Sequence, residues 1–319
     1  MTTPRILVVG SFVMDLICSA PRFPQSGETI IGTDFRTAPG GKGANQAVQA
    51  ARLGAKVSMV GKIGNDDFGT RIKETMIESG VDVSRVRVSE TRPTAIGNIQ
   101  LEVTEKGTAN RILVIPGANM DITEEDLGDL AATIDQYDIV ILQLEIPMAI
   151  NIAVAKMAHA KGVPVMLNSA PSAPLPDELL ACLTYLSPNE HEAADLTGIP
   201  VTDEASAKKA IDFLLNKGVE NVLITMGSKG AAFADRTQFI TSPCVDYGPV
   251  VDPTAAGDSF VGAFCTAICS GDTPEQAMLF ANHVGGITVS RMGAMPSLPT
   301  RKEVLDFMKQ NGHDVSRYE

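Results

Sequence analysis

Short apolar, β-branched runs alternate with helix-period segments along most of this chain, and that alternation constrains its fold more than any other feature. The runs are Ile6–Val9, Lys56–Val60, Ile139–Leu144, Pro164–Leu167, Val222–Thr225 and Ala231–Ala234. Between them lie segments with helical spacing: Ala44–Leu53, Phe68–Ser79, Pro147–Lys161, Glu190–Leu196, Ala205–Asn216, Asp258–Cys269 and Pro274–Arg291. Strands that are apolar throughout need cover on both faces, and the intervening helices supply it. The pattern predicts an α/β protein with a mostly parallel sheet flanked by helices. In such sheets ligands bind beyond the carboxyl ends of the strands.

Two regions break the alternation. Residues 12–36 and 95–115 read as strands with little helix; in the second, Asn98, Gln100 and Glu102 alternate with Ile99, Leu101 and Val103. Paired, they would form a small sheet standing off the main body, as a lid or a dimer contact, or as an extension of the main sheet edge. No repeat or linker divides the rest, so residues 1–319 read as one α/β unit with a lid from about 12–36 and 95–115. At 319 residues and 44% apolar content the chain can bury a large core. A net charge of −12 without a compensating basic block argues against nucleic acid or an anionic membrane as partner. Five cysteines in no disulfide or zinc spacing, no signal peptide and no membrane-length apolar run place the chain in a reducing cytoplasm.

The chemistry concentrates in Asp252-Pro-Thr-Ala-Ala-Gly-Asp-Ser-Phe260. Small residues Thr254, Ala255, Ala256 and Gly257 lead into a helix, so free backbone N–H groups face outward without obstruction: an anion site. Asp258 stands inside it. An acid in a first helical turn is the ordinary cap, yet in an anion site it suits a base that deprotonates the group attacking the anion. Far upstream, Gly40-Gly-Lys-Gly-Ala-Asn45 opens another helix; it is neither a Walker loop nor a dinucleotide fingerprint. Lys42 and Asn45 can hydrogen-bond hydroxyls. Asp15 and Glu145 follow strands and suit vicinal hydroxyls of a polyhydroxylated ligand, or are solvated loop acids. Asn189 reads as a helix cap; with Glu192 it could also hold a hydrated Mg²⁺ beside phosphates. Thr225–Gly230 is a tight turn with amides, the Ser228 hydroxyl and Lys229 available to a nucleotide. Asn282 and His283 are unexpected polar residues in an apolar helix, and a core histidine is the ordinary explanation.

The glycine-rich segment and the small-residue loop, in this order and more than 200 residues apart, resemble the paired signatures of the ribokinase-like, or B-type phosphofructokinase, family of sugar kinases. The resemblance spans nearly the full length. It extends through Gln143–Pro147, Asn168–Pro171, Pro188–Glu190 and Arg291–Ser297, where the chain is most similar to the ribose-phosphorylating members. It implies a Rossmann-like domain with a β-lid, often paired into a homodimer through the lids, and ATP-dependent phosphorylation of a pentose at its 5-hydroxyl. Asp258 then matches the general base, and Ala255, Ala256 and Gly257 the anion hole. Val13, Asp15, Gly41, Lys42, Gly43, Asn45 and Glu145 match sugar positions. Asn189, Thr225, Gly227, Ser228, Gly230, Gly257 and Asn282 match nucleotide positions, and Asn189 with Glu192 the Mg²⁺ region. Asp252 and Ser297, with carbonyls around Thr254, Thr288, Arg291 and Gly293, match a monovalent-cation site that usually holds K⁺.

Two residues depart from the family pattern. Val13 replaces an asparagine, which removes one polar contact to a sugar hydroxyl and tolerates a missing one. Pro253 replaces threonine or another small residue and removes an N–H. Ribose is therefore the first expectation, with 2-deoxyribose, a ketohexose or a nucleoside as alternatives. Val13, Asn98 and Gln100 are the positions expected to decide among them. A non-catalytic sugar or nucleotide sensor would have no use for Asp258.

Overall fold

The computed structural model describes residues 3–104 and 107–318; Glu105 and Lys106 within the predicted lid, and Met1, Thr2 and Glu319 at the ends of the predicted unit, lie outside the described residues. Thirteen strands are described: β1 (Arg5–Val9), β2 (Val13–Ala20), β3 (Asp34–Gly40), β4 (Lys56–Gly64), β5 (Val81–Ser89), β6 (Ala95–Thr104), β7 (Gly107–Ile115), β8 (Ile139–Leu142), β9 (Val165–Asn168), β10 (Tyr185–Ser187), β11 (Asn221–Thr225), β12 (Ala231–Ala234) and β13 (Phe239–Ser242). The helices are α1 (Lys42–Arg52), α2 (Asp67–Glu78), α3 (Leu130–Thr133), α4 (Met148–Ala160), α5 (Asp177–Leu180), α6 (Glu190–Thr197), α7 (Glu204–Asn216), α8 (Ala256–Cys269), α9 (Pro274–Val289) and α10 (Arg301–Gln310), with short 3₁₀ turns between some of them.

Nine strands form the main sheet in the order β13-β12-β11-β10-β9-β8-β1-β4-β5. All pair in parallel except β12 and β13, which close one edge antiparallel. Alternation along β1 divides the core. Ile6 and Val8 point into a cluster with α1, α2, α8, α9 and α10, while Leu7 and Val9 point into one with α4, α5, α6 and α7. The chain proceeds from β1 outward to β4 and β5, then returns to the other side of β1 through β8. The switch point lies at the carboxyl ends of β1 and β8, where such sheets open a crevice.

The second sheet, in the order β3-β2-β6-β7, is the small sheet expected from residues 12–36 and 95–115. Strands β2 and β6 pair in parallel, whereas β2–β3 and β6–β7 are antiparallel. It leaves the main sheet immediately after β1. There Asn119 clamps Phe12, its Oδ1 accepting from the Phe12 N–H at 3.0 Å and its Nδ2 donating to the Phe12 carbonyl at 2.9 Å. No helix among the described residues is long and apolar enough to cross a membrane.

Candidate active site at the carboxyl ends of β1 and β8

Helix α8 begins at a strained point. Ala255, its N-cap, has φ 62°, and among the described residues it is the one non-glycine with positive φ. That conformation costs an alanine on the order of 1 kcal/mol, and such strain gathers where a site requires it. Here it turns the chain abruptly into the helix. Ala255, Ala256 and Gly257 then line a cavity of about 180 Å³ with Lys42, Asn168, Ser187, Asn189, Glu192, Thr225 and Asp258. The first-turn amides have no intrahelical acceptor, so the helix start is electropositive; the Ala256 N–H is given to the Pro253 carbonyl at 3.2 Å, which leaves those of Ala255 and Gly257 free.

Asp258 is 7% exposed at the side of this cavity. Its side chain does not cap α8; it is held from α1. Asn45 Nδ2 donates to its Oδ2 at 2.9 Å, and Gln46 Nε2 donates to its Oδ1 at 3.1 Å. Gly41 precedes α1 with φ 97°, and a Cβ there would stand 2.7 Å from the Val13 nitrogen and 2.9 Å from the Phe12 Cα. Only glycine lets α1 start this close to the chain leaving β1.

Glu145, just beyond β8, is joined to the same start. Its Oε2 accepts from Ser11 Oγ at 2.5 Å and from the Lys42 N–H at 3.0 Å, while Ser11 Oγ also accepts from the Gly43 N–H at 3.3 Å. The Lys42 ammonium is buried. Burial works against its charge, but the carboxylates of Asp258, Glu145 and Glu192 outweigh it and hold its pKa above the ordinary value. Glu192 shifts upward, chiefly through burial, against the lowering pull of its hydrogen bond from the Asn189 N–H and of Lys42.

Asp15 lies on β2, facing a larger cleft of about 770 Å³ between the small sheet and residues 251–254 and 292–294. Burial first, then the charges of Glu145 and Asp252, push its pKa up to about 7. The register of the small sheet corrects one expectation. Asp15 pairs with Gly97 and Ile17 with Ile99, so Ile99 and Leu101 face the cleft with Asp15 and Arg36. Asn98 pairs with Leu16 and Gln100 with Cys18, which puts both on the opposite face, beside Phe23 and Phe35. They cannot read a ligand in the cleft. Val13 is on the Asp15 face and buried.

On the far side of the 180 Å³ cavity, Asn189 caps α6, with Oδ1 accepting from the N–H groups of His191 and Glu192. The Glu192 carboxylate returns to Asn189, accepting from its N–H at 2.9 Å and its Nδ2 at 2.8 Å. The cap is therefore real, and it also fixes one carboxylate and one amide beside an anion cavity. That donor set fits a hydrated Mg²⁺ shared with phosphates, which such an ion prefers to an all-protein cage. Among the described residues no cluster of three or more His, Cys, Asp or Glu offers such a cage. Thr225 ends β11, and Gly227, Ser228 and Gly230 form the turn into β12. Asn282, buried in α9, donates to the Ser242 and Pro243 carbonyls and ties down the loop after β13. Its neighbour His283 is a core residue hydrogen-bonded to the Leu279 carbonyl.

Asp252 joins two loops. Its Oδ1 accepts from the Thr254 N–H and hydroxyl, and its Oδ2 from the Gly293 N–H at 2.8 Å. The side chains of Thr288, Arg291 and Ser297 are engaged elsewhere, with the Val284 carbonyl, Glu303 and the Ala294 carbonyl respectively. The Thr288 and Ser297 hydroxyls only donate, so their oxygen lone pairs stay open; a cation held here would rest on backbone carbonyls, the free lone pairs of Asp252 and the Ser297 hydroxyl oxygen, a donor set that suits a hard cation.

Four polar residues at the site were not singled out from sequence as site positions: Ser11, Gln46, Gln143 and Asn168. Gln143 Nε2 donates to Gln46 Oε1 at 2.7 Å, and Gln46 Nε2 also reaches Asn168 Oδ1 at 3.3 Å. Ser11, Gln143 and Asn168 had a visible signal, a polar residue closing an apolar run, whereas Gln46, next to Asn45 at the start of α1, had none.

A parallel sheet open at its switch point, a separate sheet over the opening, and a buried acid held beside helix amides are what an enzyme needs to deprotonate a hydroxyl next to a bound anion. The sequence pattern of the pfkB family carbohydrate kinases matches residues 3–301, and the chain belongs to that family. It is 39% identical to the ribokinase of Haemophilus influenzae over 95% of this chain and 98% of that one. It is likewise 39% identical to the ribokinase of Bacillus subtilis, over 95% and 99%. A structure of Arabidopsis thaliana ribokinase complexed with ribose and ATP superposes with a TM-score of 0.89 at 36% identity, covering 97% of this chain and 99% of that one.

Proposed function

We propose that this protein is an ATP-dependent ribose kinase that phosphorylates the 5-hydroxyl, with Asp258 as general base. The observation that carries the reading is Asp258 itself: buried, gripped on both oxygens by Asn45 and Gln46, and one turn into a helix whose free amides line the adjoining cavity. Asp258 takes the hydroxyl proton as the oxygen attacks the γ-phosphorus in line. An O–P bond forms, the bond to the β,γ-bridging oxygen breaks, and ADP leaves. The free amides of Ala255 and Gly257 and the ammonium of Lys42 receive the charge that develops on the transferring group, and the Ala256 N–H would join them by leaving the Pro253 carbonyl, to which it donates at 3.2 Å.

Asp15, Glu145 and Asn45 hold the sugar hydroxyls, with Gly41 and Gly43 allowing close approach. Asn189, Thr225, Gly227, Ser228, Gly230 and Asn282 form the nucleotide side. Mg²⁺, held through water by Asn189 and Glu192, would neutralise phosphate charge. A K⁺ ion would rest on Asp252 and Ser297 with the carbonyls around Thr254, Thr288, Arg291 and Gly293. The working unit is a homodimer joined through the small sheets, in the cytoplasm.

ADP release measured over ribose, 2-deoxyribose, fructose and a nucleoside tests the substrate. Ribose should give the highest kcat/KM, and preference for another member overturns the assignment. Val13 supports 2-deoxyribose as the second reading, because an apolar side chain in place of a donor lowers the penalty for a missing hydroxyl. Asp258→Asn should cut turnover at least about a thousandfold while sugar affinity changes little. Near-normal turnover in that variant would remove Asp258 as the base, whereas no ADP release from the wild-type protein with any of these sugars would favour a sensor.

A further inference from the structure

Gln46 and Gln143 are 0% exposed, and neither lines the cavity or the cleft described above. They nevertheless form a directed chain to Asp258. Its polarity is set from outside. The Ser187 carbonyl can only accept, so Asn168 turns Nδ2 toward it at 2.8 Å and presents Oδ1 to Gln46. Gln46 must then turn Nε2 toward Asn168 Oδ1 and Asp258 Oδ1, which leaves its Oε1 facing Gln143 Nε2 at 2.7 Å. Reversing any one amide would set two acceptors or two donors against each other.

Room for Gln143 is made by two glycines. A Cβ at Gly10 would stand 1.9 Å from Gln143 Oε1, and one at Gly43 2.9 Å from it. That oxygen has no hydrogen-bond partner. A buried, half-satisfied amide is costly, and an apolar side chain of the same shape would spare that cost. Its one polar contribution from the side chain is the bond to Gln46.

We propose that Gln46 and Gln143 are positioning residues for the phosphoryl-transfer step. Gln143 fixes the Gln46 amide, and Gln46 fixes the rotation of the Asp258 carboxylate, so that its free lone pairs stay aimed at the sugar hydroxyl. Gln143 lies two residues before Glu145, so the acid that holds the sugar and the amide that aims the base share one frame at the end of β8. The inference rests on Asp258 being the base.

The test is a double-mutant cycle on the intact enzyme, with Gln46→Met, Gln143→Met and the pair. Kinetics with ribose and ATP are read beside ribose affinity by calorimetry. Gln46→Met should lower kcat about tenfold to a hundredfold, the worth of one hydrogen bond to a charge, with both KM values within about twofold. Gln143→Met should show the same split with a smaller loss. The pair should be no slower than Gln46→Met alone, because Gln143 reaches Asp258 only through Gln46. The proposal is overturned by unchanged kcat in Gln46→Met, by losses shared equally between kcat and binding, or by losses that multiply in the pair. If Gln46→Met does not fold, the kcat-against-KM split in Gln143→Met decides alone. Asp258→Asn, run beside them, separates the two readings. Turnover retained there removes the base, whereas turnover lost there with intact glutamine variants removes only this inference.

Discussion

Asp15 carries its proton at a pH where an ordinary aspartate has lost it. Burial, Glu145 and Asp252 together move it from 3.8 to about 7. A sugar hydroxyl donates best to the ionised form, so ribose binding should expel a proton near pH 7 and tighten between pH 6 and 8. Calorimetry in two buffers of different ionisation enthalpy reads that proton directly; identical heats in both buffers would refute it. The same shift acts on stability. The folded state holds the Asp15 proton more tightly than the unfolded state, so between about pH 4 and 7 folding binds a proton and stability falls as pH rises. Above 7 both states are ionised and the cost is complete. Asp15→Asn removes this cost, and after discounting for partial solvent access it should stabilise the protein by about 2 kcal/mol at pH 8 and by little at pH 4. A melting-temperature gain that is the same at both pH values would contradict the assignment.

The grip on Asp258 depends on how closely two helices approach. At Gly262 the facing surfaces of α8 and α1 have no side chain between them: a Cβ there would meet the Gln46 carbonyl at 2.8 Å and the Gln49 Cβ at 3.1 Å. Gly262→Ala should therefore push α1 away, cost about 1–3 kcal/mol in denaturant unfolding, and lower kcat more than it raises the KM for sugar. A stable variant with full turnover would show that the spacing is not required. This geometry also explains what could be read from the sequence. Six inner strands of the main sheet, β1, β4, β8, β9, β11 and β12, were legible because each contains a short, mostly apolar run, and Asp258 and Lys42 stood out because small residues surround them. Strand β5 was missed because Asp82, Arg85 and Arg87 interrupt it at a sheet edge, β13 at the other edge because it is four residues ending in Thr241 and Ser242, and β10 because it has only three residues. The lid alternation was visible, but its phase was not. Which of Asn98 or Ile99 faces the cleft depends on pairing with Asp15, and a shift of one residue exchanges the faces. Gln46 and Gln143 were invisible as a pair because their bond spans 97 residues and that of Gln46 to Asp258 spans 212.

At the scale of the whole molecule, the small sheet is the part least explained by a single copy of the chain. It has four strands, two open edges, and large apolar side chains exposed on both faces. Ile112 and Val114 share the face of Asp15, whereas Phe35, 62% exposed, and Leu113, 64% exposed, turn away from the cleft. A sheet of this kind is stable when both faces are covered. The sugar and the cleft can cover one; a second copy of the chain would cover the other. A net charge of −12 on each copy opposes that association, so apolar contact must drive it, and added salt should tighten it by screening the repulsion. Sedimentation should therefore find a dimer that persists to lower concentration at 0.5 M than at 0.05 M salt. Leu113→Lys, which sets a charge at the centre of the proposed contact, should shift the protein to monomer and raise the KM for sugar severalfold. The ATP KM should hold, because the proposed nucleotide side, with Asn189 at the start of α6, residues 225–230 from the end of β11 and Asn282 in α9, takes no residue from the small sheet. A wild-type monomer at assay concentration, or a monomeric variant with unaltered sugar KM, would separate the lid from assembly and leave it a cover for the cleft only.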